Sequence, residues 1–159
     1  STMNEPSSLP AIETLLPHQA PMLLLDRLCA ADAQQARCET RIGARHALLL
    51  DGEGNLPGWV GIELMAQTIA AWAGMQGRLR GEPVRIGMLL GSRKYRCLRP
   101  VFAAGSLLTI EACCLLQDGG MASFECRILQ DGRECATARL STYQPAPGEL
   151  SDLLAKDVS

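Results

Sequence analysis

Residues 57–81 constrain the fold more than any other stretch. Pro57-Gly58 opens it, and proline is tolerated there because the first amides of a helix have no intrahelical partner. No proline follows up to residue 80, and Met65, Ile69, Trp72, Met75 and Leu79 recur at helical spacing. The remaining faces are mostly small: Gly61, Ala66, Ala70, Ala71, Ala73, Gly74 and Gly77. A helix that is apolar on nearly every side has to be wrapped by other structure, and small residues let a sheet approach its backbone. Arg78 and Arg80 suit the negative end of the helix dipole, and Gly81 stops it.

The flanking sequence supplies the wrapping. Residues 11–16 suit a short helix stopped by Pro17, and the apolar run 22–28 after Pro21 reads as a buried strand. Residues 35–42 form a second strand, and 44–56 are irregular, with Asp51-Gly52-Glu53-Gly54-Asn55 as a loop. Residues 85–90 and 94–98 are expected to make one bent strand. A long strand over 107–117, a hairpin turn at Asp118-Gly119-Gly120, a return over 121–129, a second turn at Gln130-Asp131-Gly132 and a closing strand over 133–143 follow. This predicts an α+β domain, a curved antiparallel sheet around one long central helix.

Composition narrows the function. A hydrophobic fraction of 47% supplies one real core in a chain the size of one domain. The net charge of −2 argues against bulk nucleic-acid binding, and 4% aromatics against a base-stacking surface. The seven cysteines, Cys29, Cys38, Cys97, Cys113, Cys114, Cys126 and Cys135, form no CxxC pair and sit in apolar or alternating runs. They read as buried free thiols of a reducing compartment. With two histidines, a zinc site is not expected. The nearly uncharged stretch 64–76 is too short and too rich in Ala and Gly for a membrane span, so a soluble cytoplasmic protein is expected. One domain over 1–159 is expected, with 1–10 as a flexible N-terminus behind which Met3 is the natural start, and 146–159 as a C-terminal tail.

Two polar residues interrupt the apolar helix. Glu63 and Gln67 lie four apart and so share a face. A carboxylate buried there is unfavourable unless it is paired or functional, and apolar surroundings would fit it to exchange protons near neutral pH. Glu63 lies one turn inside the helix start, where free amides can polarise a carbonyl. The structural alternative is that Glu63 pairs with an arginine or caps a neighbouring backbone.

The motifs resemble a known family. Leu15-Leu16-Pro17-His18 and Pro21-Met22-Leu23-Leu24-Leu25-Asp26-Arg27 are similar to the LLPHRxPFLLVDR opening of the β-hydroxyacyl-ACP dehydratases. Pro57-Gly58-Trp59-Val60-Gly61-Ile62-Glu63-Leu64-Met65-Ala66-Gln67 resembles their PGVLxxEAMAQ helix. Gly91-Ser92-Arg93-Lys94-Tyr95-Arg96-Cys97-Leu98-Arg99-Pro100-Val101 resembles their GIDKxRFRRPV segment. A closer resemblance is to the hotdog dehydratase-like proteins of aryl polyene clusters. Their LPAWVGIELMAQTIAA helix, IGFLLGxRxY strand and terminal xYQP have counterparts in residues 56–71, 86–95 and Tyr143-Gln144-Pro145.

The resemblance implies a hotdog fold, a homodimer or a heterodimer with another hotdog protein, and dehydration of 3-hydroxyacyl thioesters on acyl carrier protein. It implies that Glu63 protonates the departing hydroxyl and that the Gly58 amide holds the thioester carbonyl, while Gln67 is expected to support Glu63. A loop histidine should remove the α-proton, but its position falls at Leu49. His46 is the nearest substitute, and His18 is expected to anchor the N-terminal turn. Asp51 and Glu53 are lesser candidates for a second carboxylate. Trp59, Arg93, Lys94, Arg96 and Arg99 are expected at the substrate-binding surface, the basic residues docking an acidic carrier and its phosphopantetheine phosphate. No metal or organic cofactor is called for, since the thioester itself acidifies the α-proton. Two alternatives stay open: hydrolysis of an acyl thioester by the helix carboxylate, and a non-catalytic subunit of a heterodimeric dehydratase.

Overall fold

The computed structural model describes residues 9–84, 87–146, 148, 149, 152 and 155. The expectations for residues 1–8, for the start of the bent strand at Arg85 and Ile86, and for most of the tail lie outside the described residues. Among the described residues up to 143, eight strands and the long helix follow in the order β1 (Arg27–Ala31), β2 (Gln35–Arg41), β3 (Leu56–Pro57), α1 (Gly61–Leu79), β4 (Met88–Cys97), β5 (Val101–Phe102), β6 (Leu107–Asp118), β7 (Met121–Gln130) and β8 (Arg133–Tyr143). Six strands form one antiparallel sheet in the order β1-β2-β6-β7-β8-β4, and β3 pairs with β5.

The sheet curves around α1 because its strands bury alternate residues on one face. Ala36, Cys38 and Thr40 of β2, Leu108, Ile110 and Ala112 of β6, Phe124, Cys126 and Ile128 of β7, and Ala136, Ala138 and Leu140 of β8 are buried. They enclose Leu64, Met65, Ile69, Ala71, Trp72 and Met75 of the helix. Trp72 meets Phe124 edge to face at 5.4 Å, and its indole N–H donates to Asp32 O. Leu79, expected on the apolar stripe, is 69% exposed, because the helix has by then run past the sheet. The thiols are free, and burial pushes Cys38 and Cys126 up to about 12, leaving them protonated. Cys97, Cys113 and Cys114 are part-exposed, contrary to the uniform burial expected.

The hairpin turns are as their sequences require. Gly119 and Gly120 join β6 to β7, and Asp131 and Gly132 join β7 to β8, all four with positive φ. One strand is misplaced by the sequence reading. The apolar run 22–28 does not form a strand over its length; β1 begins only at Arg27. Leu23, Leu24 and Leu25 are buried nonetheless, and side chains satisfy the backbone of this segment. Leu24 N–H donates to Gln67 Oε1 (2.9 Å), Leu24 O accepts from His46 Nε2 (2.9 Å), and Met22 O accepts from Gln67 Nε2 (2.8 Å). The small residues of the helix also serve more than the sheet. A Cβ on Gly74 would collide with the backbone of Leu15, so this glycine seats the N-terminal segment.

Candidate active site

The helix begins as a 3-10 turn over Gly58–Val60, directly after β3. The Gly58 amide donates to Pro100 O at 2.8 Å, and a Cβ on Gly58 would press on Arg99 O, Pro100 O and Cys97 Sγ at 3.0–3.1 Å. This amide is therefore engaged and is not the free carbonyl-holding donor expected of it. The pairing of β3 with β5 brings Pro100 O there, and two-residue strands leave little trace in sequence. On the other side of the turn the Tyr95 hydroxyl donates to Gly58 O at 2.5 Å. Burial holds the Tyr95 phenol above the usual tyrosine range, so it stays a donor. Any side chain on Gly61 would collide with that hydroxyl. Tyr95 stands in the sequence motifs, but its contact with Gly58 was not foreseen, because the two are 37 residues apart.

Glu63 follows one turn later. It was expected to be buried, but its side chain is 45% exposed, because a cavity opens beside it. Gln67 Nε2 donates to Glu63 Oε1 at 3.0 Å. Gln67 is fully buried, and its bonds to Leu24 N–H and Met22 O fix which way the amide faces. The same bonds pin the N-terminal segment against α1 and carry His18 to Glu63, with Nε2 3.7 Å from Oε1. The arginine pairing considered as the structural alternative is not present among the described residues.

Both side chains line a cavity of about 190 Å³ between α1 and the sheet. Glu63, Ala66, Ala70 and Ala73 lie along one face of the helix, a run of about 15 Å at 1.5 Å per residue. Phe124 and Ala122 of β7 face them, and Thr142, Tyr143 and Gln144 close part of the wall. Two titratable groups at one part of an apolar cavity suit proton transfer on a chain-like substrate.

The other expected residues fall elsewhere. His46 is fully buried in a 3-10 turn over Ala44–His46. Its Nδ1 accepts from Gly43 N–H (3.2 Å), and its Nε2 meets Leu24 O (2.9 Å) and Thr40 Oγ1 (3.1 Å). Both ring nitrogens are thus engaged by the fold, and this histidine is corrected from candidate base to core residue. Asp51 Oδ1 accepts from the Glu53 and Asn55 amides and organises its own loop. Trp59 is 66% exposed and does not line the cavity. Arg93, Lys94 and Arg96 do come together, with Arg139 and Glu125, in a depression on the sheet; Arg99 is exposed but not among its lining. Alternation along an extended strand points at least Lys94 and Arg96 the same way. A bulge between Arg93 and Arg96, with Lys94 at φ 57°, breaks the alternation and gathers all three.

The described residues contain no group of acidic, histidine and cysteine side chains able to hold a metal, and no described helix is long and apolar enough to cross a membrane.

A family model described as ApeP-like, ApeP dehydratase, matches residues 10–155. A chain of the dehydratase heterocomplex ApeI:P from Xenorhabdus doucetiae is 39% identical, with a TM-score of 0.87, and the match covers 92% of this chain and 98% of that one. The PaaI protein from the phenylacetic acid degradation operon of E. coli is 20% identical, with a TM-score of 0.57 over 73% of this chain and 80% of its own. A mutant hypothetical thioesterase from Streptococcus pneumoniae TIGR4 is 17% identical, with a TM-score of 0.58 over 76% and 90%. The last two bear on the fold alone, which is the hotdog fold expected from the motifs. The long match to the family model, joined to the 39% identity over nearly the whole of both chains, establishes that this chain belongs to the ApeP-like dehydratase family.

Proposed function

We propose that the chain dehydrates 3-hydroxyacyl thioesters carried on acyl carrier protein, in fatty acid or aryl polyene type biosynthesis, as one half of a hotdog heterodimer. The observation that carries this reading is Glu63, held by Gln67 and facing an apolar cavity that runs on beside Ala66, Ala70 and Ala73. In its protonated form Glu63 gives its proton to the departing β-hydroxyl, which leaves as water. Gln67 donates to Oε1 and keeps the carboxyl turned to the cavity. The acyl chain lies along the alanine face, and the basic depression of Arg93, Lys94 and Arg96 receives the acidic carrier.

Two features favour pairing with a second hotdog chain, and the first favours a different chain as the partner. The similar chain from Xenorhabdus doucetiae belongs to a heterocomplex. Strand β4 is an edge of the sheet, ten residues long, and exposes Leu89 and Leu90; such an edge invites pairing with another chain. A second reading, a non-catalytic subunit, draws on Leu49 standing where the related dehydratases carry their loop histidine.

The test uses a 3-hydroxyacyl-acyl carrier protein with the chain alone and with any hotdog protein that co-purifies. Enoyl absorbance should rise, and Glu63→Gln should lower turnover by about 100- to 10,000-fold, the usual worth of a positioned acid, without unfolding the protein. Release of free thiol would show hydrolysis instead. Full activity of Glu63→Gln in the complex would show that this chain is the non-catalytic half.

A further inference from the structure

The cavity beside Glu63 has a floor as well as a polar part. Its most deeply buried lining is Ile69, Trp72 and Phe124, each no more than 5% exposed. The Trp72 indole is locked from two sides: its N–H donates to Asp32 O at 3.1 Å, and its ring meets Phe124 edge to face at 5.4 Å. A ring so held does not swing aside without giving up both contacts. Ala66, Ala70 and Ala73 leave space along the helix, at about 4.5, 10.5 and 15 Å from Glu63 for a rise of 1.5 Å per residue. One residue beyond Ala73, the backbone of Leu15 sits directly on Gly74, so the N-terminal segment takes over the helix face there. Met88 and Leu89 of the β4 edge line the outer side. A partner chain on that edge would complete the outer wall, and the inner wall is built by this chain.

We propose that this cavity sorts acyl thioesters by chain length, with the locked Trp72 indole as the inner wall that the chain end meets. This rests on the dehydratase reading only in placing the β-carbon of the substrate at Glu63. An extended acyl chain advances about 1.25 Å per carbon, from a C–C bond of about 1.5 Å at an angle of about 111°. Counted from a β-carbon at Glu63, carbon 8 lies about 6 Å along the helix, past Ala66. Carbon 12 lies at about 11 Å, level with Ala70, and carbon 16 at about 16 Å, level with Ala73. Helical side chains lean toward the helix N-terminus, so the Trp72 ring lies over the turn before its own Cα and meets a chain of about twelve carbons. Ala66→Leu, Ala70→Leu and Ala73→Leu then block the cavity at three depths, and each excludes only the chains long enough to arrive there.

The experiment has two arms, both on the complex as purified. In the first, kcat/KM is measured for the 3-hydroxybutanoyl, octanoyl, dodecanoyl and hexadecanoyl thioesters of acyl carrier protein, with the unaltered chain and the three alanine variants, and melting temperature is read alongside. Ala66→Leu should lose about tenfold or more on all but the shortest substrate, Ala70→Leu on the two longest and Ala73→Leu on the longest alone, since one methylene of misfit in an apolar pocket already costs that much. In the second arm, 12-bromo-3-hydroxydodecanoyl-acyl carrier protein is the probe, because its bromine quenches a tryptophan that it touches. Quenching should survive Trp59→Phe, whose indole is exposed and does not line the cavity, and disappear in Trp72→Phe. A folded set of variants with equal losses at every length, or with an order other than 66, 70, 73, overturns the proposal. So does an absence of quenching in the unaltered chain, or quenching that persists undiminished in Trp72→Phe. If no enoyl product forms at any length, the dehydratase reading falls, and the quenching of Trp72 decides the proposal by itself; it also decides if the leucine variants unfold.

Discussion

At the level of single residues, the decisive fact is which polar groups the fold has already satisfied. The helix-start amide at Gly58 and the imidazole of His46 are both engaged, while the His18–Glu63 contact faces a cavity. Truncating His46 should therefore be a stability lesion. His46→Ala leaves Gly43 N–H, Leu24 O and the Thr40 hydroxyl without this partner. Each buried group so orphaned costs about 1–3 kcal/mol, so a loss on the order of 3 kcal/mol and a fall of roughly 6–12 °C in Tm are expected. A thermal melt checks this. A variant that melts like the unaltered chain would show that the imidazole holds nothing together.

At the level of elements, α1 is held by its neighbours at both ends of its small-residue faces. Tyr95 of β4 fills the space over Gly61, and the Leu15 backbone fills the space over Gly74. Gly74 lies in the helix interior, where alanine has the better intrinsic propensity by about 1 kcal/mol. Sterics should still reverse that preference. Gly74→Ala forces the N-terminal segment away from the helix and is expected to destabilise by about 1–3 kcal/mol, as overpacking commonly does. Urea denaturation would show it as a lower midpoint at unchanged slope. A rise in stability would mean that Leu15 does not sit against this glycine.

For the molecule as a whole, the open question is what covers the free edge of β4. The sheet ends there with Leu89 and Leu90 exposed, and the same strand contributes Met88 and Leu89 to the cavity wall. A partner pairing on that edge would extend the sheet and wall in the cavity. A charge on an edge strand opposes such pairing. Leu90→Lys is expected to abolish association with a co-expressed hotdog partner, measured by light scattering after size exclusion, while the circular dichroism of the chain stays unchanged. An intact complex with the lysine in place would put the interface elsewhere.

The parts of this protein that were legible in its sequence are those decided locally. Helical spacing of Met65, Ile69, Trp72 and Met75, the glycine turns between β6, β7 and β8, and the helical offset of Glu63 and Gln67 all depend on residues within a few positions of one another. Tertiary structure alone decided the rest. The run 22–28 looks like a strand by composition, yet the 22–25 part is satisfied by Gln67 and His46 rather than by a ladder. Alternation along β4 was legible, but the bulge that gathers Arg93, Lys94 and Arg96 was not, because it depends on the register with β8. The His18–Glu63 contact joins residues 45 positions apart, and no local pattern encodes such a distance. Side-chain hydrogen bonds to distant backbone are many-body choices, made only once the core has brought the segments together, and they decided which histidine the fold consumed and which it left at the cavity.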